Sequence, residues 1–151
     1  MKIILTSVCV ILFVLFGFYI FYTIKKERKV TKDISGRAPC SLDRFLKEGK
    51  IEPLNDKERR FIEVARKVMA ELGTVPENSI YPTDTFHDEI GFLPFWNSID
   101  MLEYIAGLEE ALDMDIDSVI DWPYPDYSPQ YTVAEFFNEL LILYRKRSSS
   151  C

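Results

Sequence analysis

Hydrophobic and polar positions divide this chain into stretches of unlike period. Ile3 to Ile24 holds no charged residue and reads IILTSVCVILFVLFGFYIFYTI, a run of 22 residues. As a helix rising about 1.5 Å per residue it extends about 33 Å, enough for a hydrocarbon core of ~30 Å. It therefore predicts a transmembrane anchor over 1–24. A cleaved signal peptide has an apolar region of only ~7–15 residues and ends at small residues, whereas this run ends with Tyr19 and Tyr22. Amphipathic rings of that kind favour a membrane interface.

Beyond the run the period changes. Ser35, Gly36 and Pro39 predict a flexible spacer within a basic linker, 25–55, and Leu42 to Glu48 predicts a short helix ending at Gly49 with Phe45 and Leu46 to pack. Asn55 and Glu58 resemble a capping box, and Gly73 offers a left-handed stop. Between them Phe61, Ile62, Ala65, Val68, Met69 and Leu72 recur at helical spacing. Pro76, Pro82, Gly91 and Pro94 exclude regular helix from the next stretch. A second helix is predicted from about Asn97–Ser98 to Leu112, with Ile99, Leu102, Ile105, Leu108 and Leu112 inward and Asp100, Glu103 and Glu110 outward, Glu109 at the margin. Thr132 and Glu135 form a capping box for a last helix whose Val133, Phe136, Phe137, Leu140 and Tyr144 face inward. A minor helix near Asp117–Asp121 is also compatible with the pattern.

Charge sharpens this division. Only Lys2 precedes the apolar run, while Lys25, Lys26, Arg28, Lys29, Lys32 and Arg37 follow it. The positive-inside rule then predicts a single-pass membrane protein, bound through residues 3–24, with its C-terminal domain cytoplasmic. From Lys25 to Lys67 there are 14 Lys+Arg and 8 Asp+Glu; from Val68 to Tyr144 there are 16 Asp+Glu and no Lys or Arg. Exclusion of one sign over so long a stretch predicts a docking face for a positively charged partner. The overall charge of −6 argues against nucleic acid as a ligand, since phosphate backbones are bound by Lys and Arg. Three cysteines cannot close a disulfide framework.

Enzyme motifs are weak. His87 is the only histidine, which leaves metal sites and nucleophilic triads without the usual ligand or base spacing. Asp113, Asp115 and Asp117 alternate as in a calcium loop, but its glycine and distant glutamate are missing.

The stretch Phe61 to Tyr144 resembles an acyl carrier protein. Glu71-Leu72-Gly73 closes an amphipathic first helix, and Phe86-His87-Asp88-Glu89-Ile90-Gly91 is similar to the family's Phe-x-Asp-Asp-Leu-Gly loop. Asn97-Ser98-Ile99-Asp100 sits where the family has Asp-Ser-Leu-Asp. Leu108-Glu109-Glu110, Asp113-Met114-Asp115-Ile116 and Thr132-Val133 continue the family's order. The resemblance implies an all-α fold: a small acyl-carrier-like bundle of three main helices plus a short one at 56–147, preceded by the transmembrane helix and followed by a tail, 148–151. It also implies that Ser98 receives 4′-phosphopantetheine, whose phosphodiester anion would lie at the positive end of a helix dipole. Asp100, Glu103, Glu109 and Glu110 match the acidic positions that family members present to partners. Those partners would be a phosphopantetheinyl transferase and acyl-processing enzymes with basic docking surfaces.

Two departures keep a second reading open. Asn97 replaces the family's aspartate, and Phe92-Leu93-Pro94-Phe95-Trp96 stands where the family has about one residue. The chain is therefore read either as a carrier of acyl thioesters in lipid or secondary-metabolite synthesis, or as an acyl-carrier-like adaptor without a prosthetic group. In neither case does it catalyse a reaction itself.

Overall fold

The computed structural model describes residues 2–93, 100–112 and 128–148, with side chains described from Leu12 onward except those of Asp100, Met101, Arg147 and Ser148. Five α-helices carry this part: α1 (Lys2–Ser35), α2 (Leu42–Gly49), α3 (Asp56–Leu72), α4 (Asp100–Leu112) and α5 (Val133–Ser148). Single 3₁₀ turns cover Glu77–Ser79 and Ile90–Phe92. Extended pairing among the described residues is limited to one isolated bridge, Thr85 to Thr132. The all-α expectation fits this architecture, while the minor helix expected near Asp117–Asp121 lies outside the described residues.

The transmembrane anchor is overturned. Among the described residues no helix is long and apolar enough to cross a membrane. The single-pass placement, with a cytoplasmic C-terminal domain, falls with it.

The flexible spacer is replaced as well. α1 continues ten residues and more past the apolar run to Ser35, and the Gly36 N–H still donates to the Lys32 carbonyl at 3.0 Å. Val30 and Ile34, four residues apart on one helical face, supply the reason: Ile34 is buried in the core and Val30 packs against it. Arg37 then ion-pairs with the buried Asp84. Cys40, Phe45, Leu46 and Ile51 join the same core, so the basic segment contributes apolar surface to the domain.

α2 starts as expected, with the Ser41 side chain accepting from the Arg44 N–H at 3.2 Å. Its left-handed residue is Lys50 rather than a glycine, with φ 52°. Gly49 is needed for a different reason: a Cβ there would lie 3.0 Å from Pro82 and 3.2 Å from Ala134. Gly73 repeats the lesson at the end of α3. Its φ is −73°, and the left-handed residue is Thr74 at 53°. A Cβ on Gly73 would stand 2.7 Å from Leu93 Cδ1, so the glycine permits close packing instead of the backbone reversal expected.

The interior is rich in rings. Phe136 meets Phe86 edge-on at 5.2 Å and Phe137 at 6.0 Å, while Phe45 meets Phe137 at 5.3 Å. Every apolar position assigned to α5's inner stripe is buried or, for Tyr144, stacked on Phe61 at 4.4 Å. α5 begins with the expected capping box: Glu135 accepts from the Thr132 N–H and hydroxyl at 2.7 and 2.9 Å. α3 is capped differently from the sequence reading. Asn55 accepts from the Glu58 N–H, but the Glu58 carboxylate accepts from Leu54 N–H and from Arg145.

One cation is built into the core. Arg66 of α3 is 1% exposed and donates from Nη2 to the carbonyls of Cys40 at 2.8 Å and Ile80 at 2.9 Å. Its guanidinium also lies 4.6 Å above the Phe45 ring centroid. Burial lowers its pKa from the ordinary arginine range, and the two carbonyls compensate by hydrogen bonding. It ties α3 to both the segment before α2 and the loop after the first 3₁₀ turn.

Candidate functional site

α3 and α4 pack against each other, and their sequences show why. Gly107 of α4 faces Val68 of α3 so closely that a Cβ on Gly107 would lie 2.8 Å from Val68 Cγ1. Small residues at the crossing let the backbones approach and leave a channel beside the contact. This groove holds about 550 Å³ and is lined by Val68, Glu71, Leu72, Glu103, Gly107, Glu110 and Ala111. Its floor is apolar and three carboxylates stand along it.

The groove gathers some of the expected site residues and not others. Glu103 and Glu110, seven positions apart on α4, are both exposed and both line it. Glu109 is half-buried on the margin of that face and does not line the groove. Asp100 is the first described residue of α4, and its side chain lies outside the described residues. Ser98, with Asn97 and most of the aromatic insertion, also lies outside them. Glu71 was not among the expected docking residues. It is 32 positions from Glu103 in sequence, and only the α3–α4 crossing brings the two to one groove.

The interior stripe assigned to α4 needs one correction. Ile105 and Leu108 are buried, yet Leu102 is 49% exposed, and Ile99 lies outside the described residues. Tyr104 takes the inner place instead. It is fully buried, and its hydroxyl donates to the Ala65 carbonyl at 3.2 Å. Burial raises its pKa well above the ordinary tyrosine value, so the phenol stays protonated and keeps that donor.

The loop before α4 is held by its own polar groups. Phe86 and Ile90 are buried anchors, and Glu89 accepts from the Thr85 N–H at 2.9 Å and hydroxyl at 2.8 Å. The Asp88 N–H returns a bond to Thr85 Oγ1 at 3.1 Å. His87 and Asp88 point outward in contact at 2.9 Å. Among the described residues no group of three His, Cys, Asp or Glu side chains gathers to hold a metal. Cys40 is a buried free thiol whose pKa is pushed up by that burial, which disfavours the reactive thiolate.

No protein-family model, curated protein or solved structure matches this chain at a significant level. The resemblance to acyl carrier proteins therefore rests on the motifs of the chain itself.

Proposed function

We propose that this domain is an acyl-carrier-like docking module that receives a positively charged partner in the α3–α4 groove. The observation that carries this reading is that Glu103 and Glu110 stand beside an apolar floor, joined there by Glu71, which also reaches Lys67 at 3.7 Å. No Lys or Arg occurs between Val68 and Tyr144 to neutralise Glu103 or Glu110 from within that stretch. Such a field steers cationic surfaces toward it and repels acidic ones. The partner supplies Lys or Arg at the rim and small apolar side chains for the floor.

A second reading has its own support. In sequence, Ser98 of the carrier-like motif stands two positions before Asp100, the first described residue of α4. In this reading Ser98 bears 4′-phosphopantetheine, which supplies a flexible thiol arm for acyl thioesters. A phosphopantetheinyl transferase and acyl-processing enzymes are then the basic partners of the groove.

Two measurements on the full chain test these readings. The first titrates a lysine-rich amphipathic helical peptide against wild type and the triple variant Glu71→Gln/Glu103→Gln/Glu110→Gln. Docking requires the variant to bind on the order of tenfold or more weakly; equal binding would remove the groove as the interface. The second is intact mass after co-expression with a broad-specificity phosphopantetheinyl transferase. A phosphopantetheine gained by wild type and missing in Ser98→Ala supports the carrier. An unmodified wild type, with the peptide still bound, leaves the adaptor alone.

A further inference from the structure

Once the spanning reading is removed, the basic residues after the apolar part of α1 need another account. Tyr22, Lys25, Lys26, Lys29 and Val30 share one face of the helix and, with Asp33, line a recess of about 390 Å³. The recess is anchored at both ends. Lys26 Nζ lies 3.4 Å from the Phe92 ring centroid, a cation–π contact that ties α1 to the Ile90–Phe92 turn. One turn and two turns further on, Val30 and Ile34 pack into the domain core.

Cations of the basic segment divide into those matched by a carboxylate and those, including Lys25, Lys26 and Lys29 of the recess, that are not matched among the described residues. Arg37, Arg44, Arg59, Arg60, Lys67 and Arg145 each pair with a carboxylate. Among the described residues no carboxylate pairs with Lys25, Lys26 or Lys29. Asp33, one turn beyond Lys29, offsets only part of their charge. Lys25 and Lys29 are exposed and lie on consecutive turns.

We propose that this recess binds the phosphate group of an anionic ligand, with Lys25, Lys26 and Lys29 as ammonium donors. A phosphate presents several strong acceptor oxygens to several donors at once, which suits three lysines lining one recess better than a single carboxylate would. The Tyr22 hydroxyl is a further donor at the same recess. The group can arrive on a dissolved phosphate ester or on the headgroup of a phospholipid.

The test separates these sources and is independent of the α3–α4 groove. Full-length protein is titrated with pyrophosphate, and in parallel mixed with phosphatidylcholine vesicles with or without phosphatidic acid. Three forms are compared: wild type, Lys25→Gln/Lys29→Gln, and a charge-matched control on α2, Lys47→Gln/Lys50→Gln. The recess predicts a loss of about thirtyfold in affinity for the first variant and little change for the control. Response to pyrophosphate assigns a dissolved ester, and response only to the acidic vesicles assigns a headgroup. Absence of binding to both probes, or an equal loss in the control, would overturn the site.

Discussion

The basic segment from Lys25 to Lys67 and the acidic segment from Val68 to Tyr144 build one core but use charge in different ways. Most arginines of the basic segment meet an acceptor: Arg37 with Asp84, Arg44 with Glu48, Arg59 with Asp43, Arg60 with Glu63, and Arg66 with two buried carbonyls. In the acidic segment Glu103 and Glu110 instead stand along an open groove. Where both signs alternate in sequence, helical spacing brings partners within reach of each other. Where one sign is excluded, the field is left for solvent or for another molecule. Charges of the first kind hold the fold, and charges of the second kind are available for recognition.

The largest test of that contrast is Arg66→Ala. It removes two buried hydrogen bonds and the packing on Phe45, and should destabilise the domain by about 3–5 kcal/mol in urea unfolding. A cost near that of an ordinary surface substitution would break the comparison at once.

Glu58→Gln comes next, at about 1–3 kcal/mol, because the amide oxygen that replaces the carboxylate accepts from Arg145 without the opposing charge. The Arg145 hydrogen bond holds the Glu58 carboxyl below its ordinary pKa. Its stabilisation is therefore present above the unfolded carboxyl pKa and disappears as pH falls through the folded value. Wild type and variant should converge in acid; a constant gap down the pH series would contradict the ion pair. Asp84 runs the other way. Burial raises its pKa despite Arg37, so its contribution is greatest in acid and is lost as pH rises through the folded value.

Gly107→Ala sharpens the comparison from the groove side. The new methyl meets Val68 at 2.8 Å and should cost about 1–2 kcal/mol while pushing α3 and α4 apart. Wild-type thermal stability would show that the crossing yields easily. Thr74→Gly should move the other way, stabilising by about 1 kcal/mol through relief of a β-branched residue at φ 53°. The smallest effect belongs to Glu103→Gln/Glu110→Gln. Its unfolding free energy should stay within about 0.5 kcal/mol of wild type, since neither exposed carboxylate pairs with a cation among the described residues. A larger loss would place those side chains among the groups that hold the fold.

The helices that were legible carried their own evidence. α5 announced its start by Thr132 and Glu135 and its buried face by Val133, Phe136, Phe137 and Leu140, because cap and stripe lie within one turn or two of each other. α3 and α2 were readable for the same reason. The misreadings involve partners distant in sequence. Leu102 fitted the apolar stripe of α4, but Tyr104 reached Ala65 across the bundle and took the interior position. Gly73 looked like a reversal residue, yet its constraint comes from Leu93, twenty positions on. The basic linker looked polar enough to be loose, and Ile34 gave no local sign that the domain would bury it.

Local order in the chain was enough to determine helix type, the capping box of α5 and the segregation of charge, because spacing, capping and composition act over a few residues. Tertiary structure alone decided that Glu71 joins Glu103 and Glu110, that Arg66 lies inside, and that α1 docks through its second half. Each of those outcomes depends on which surfaces meet, and apolar burial selects that pairing across the whole chain.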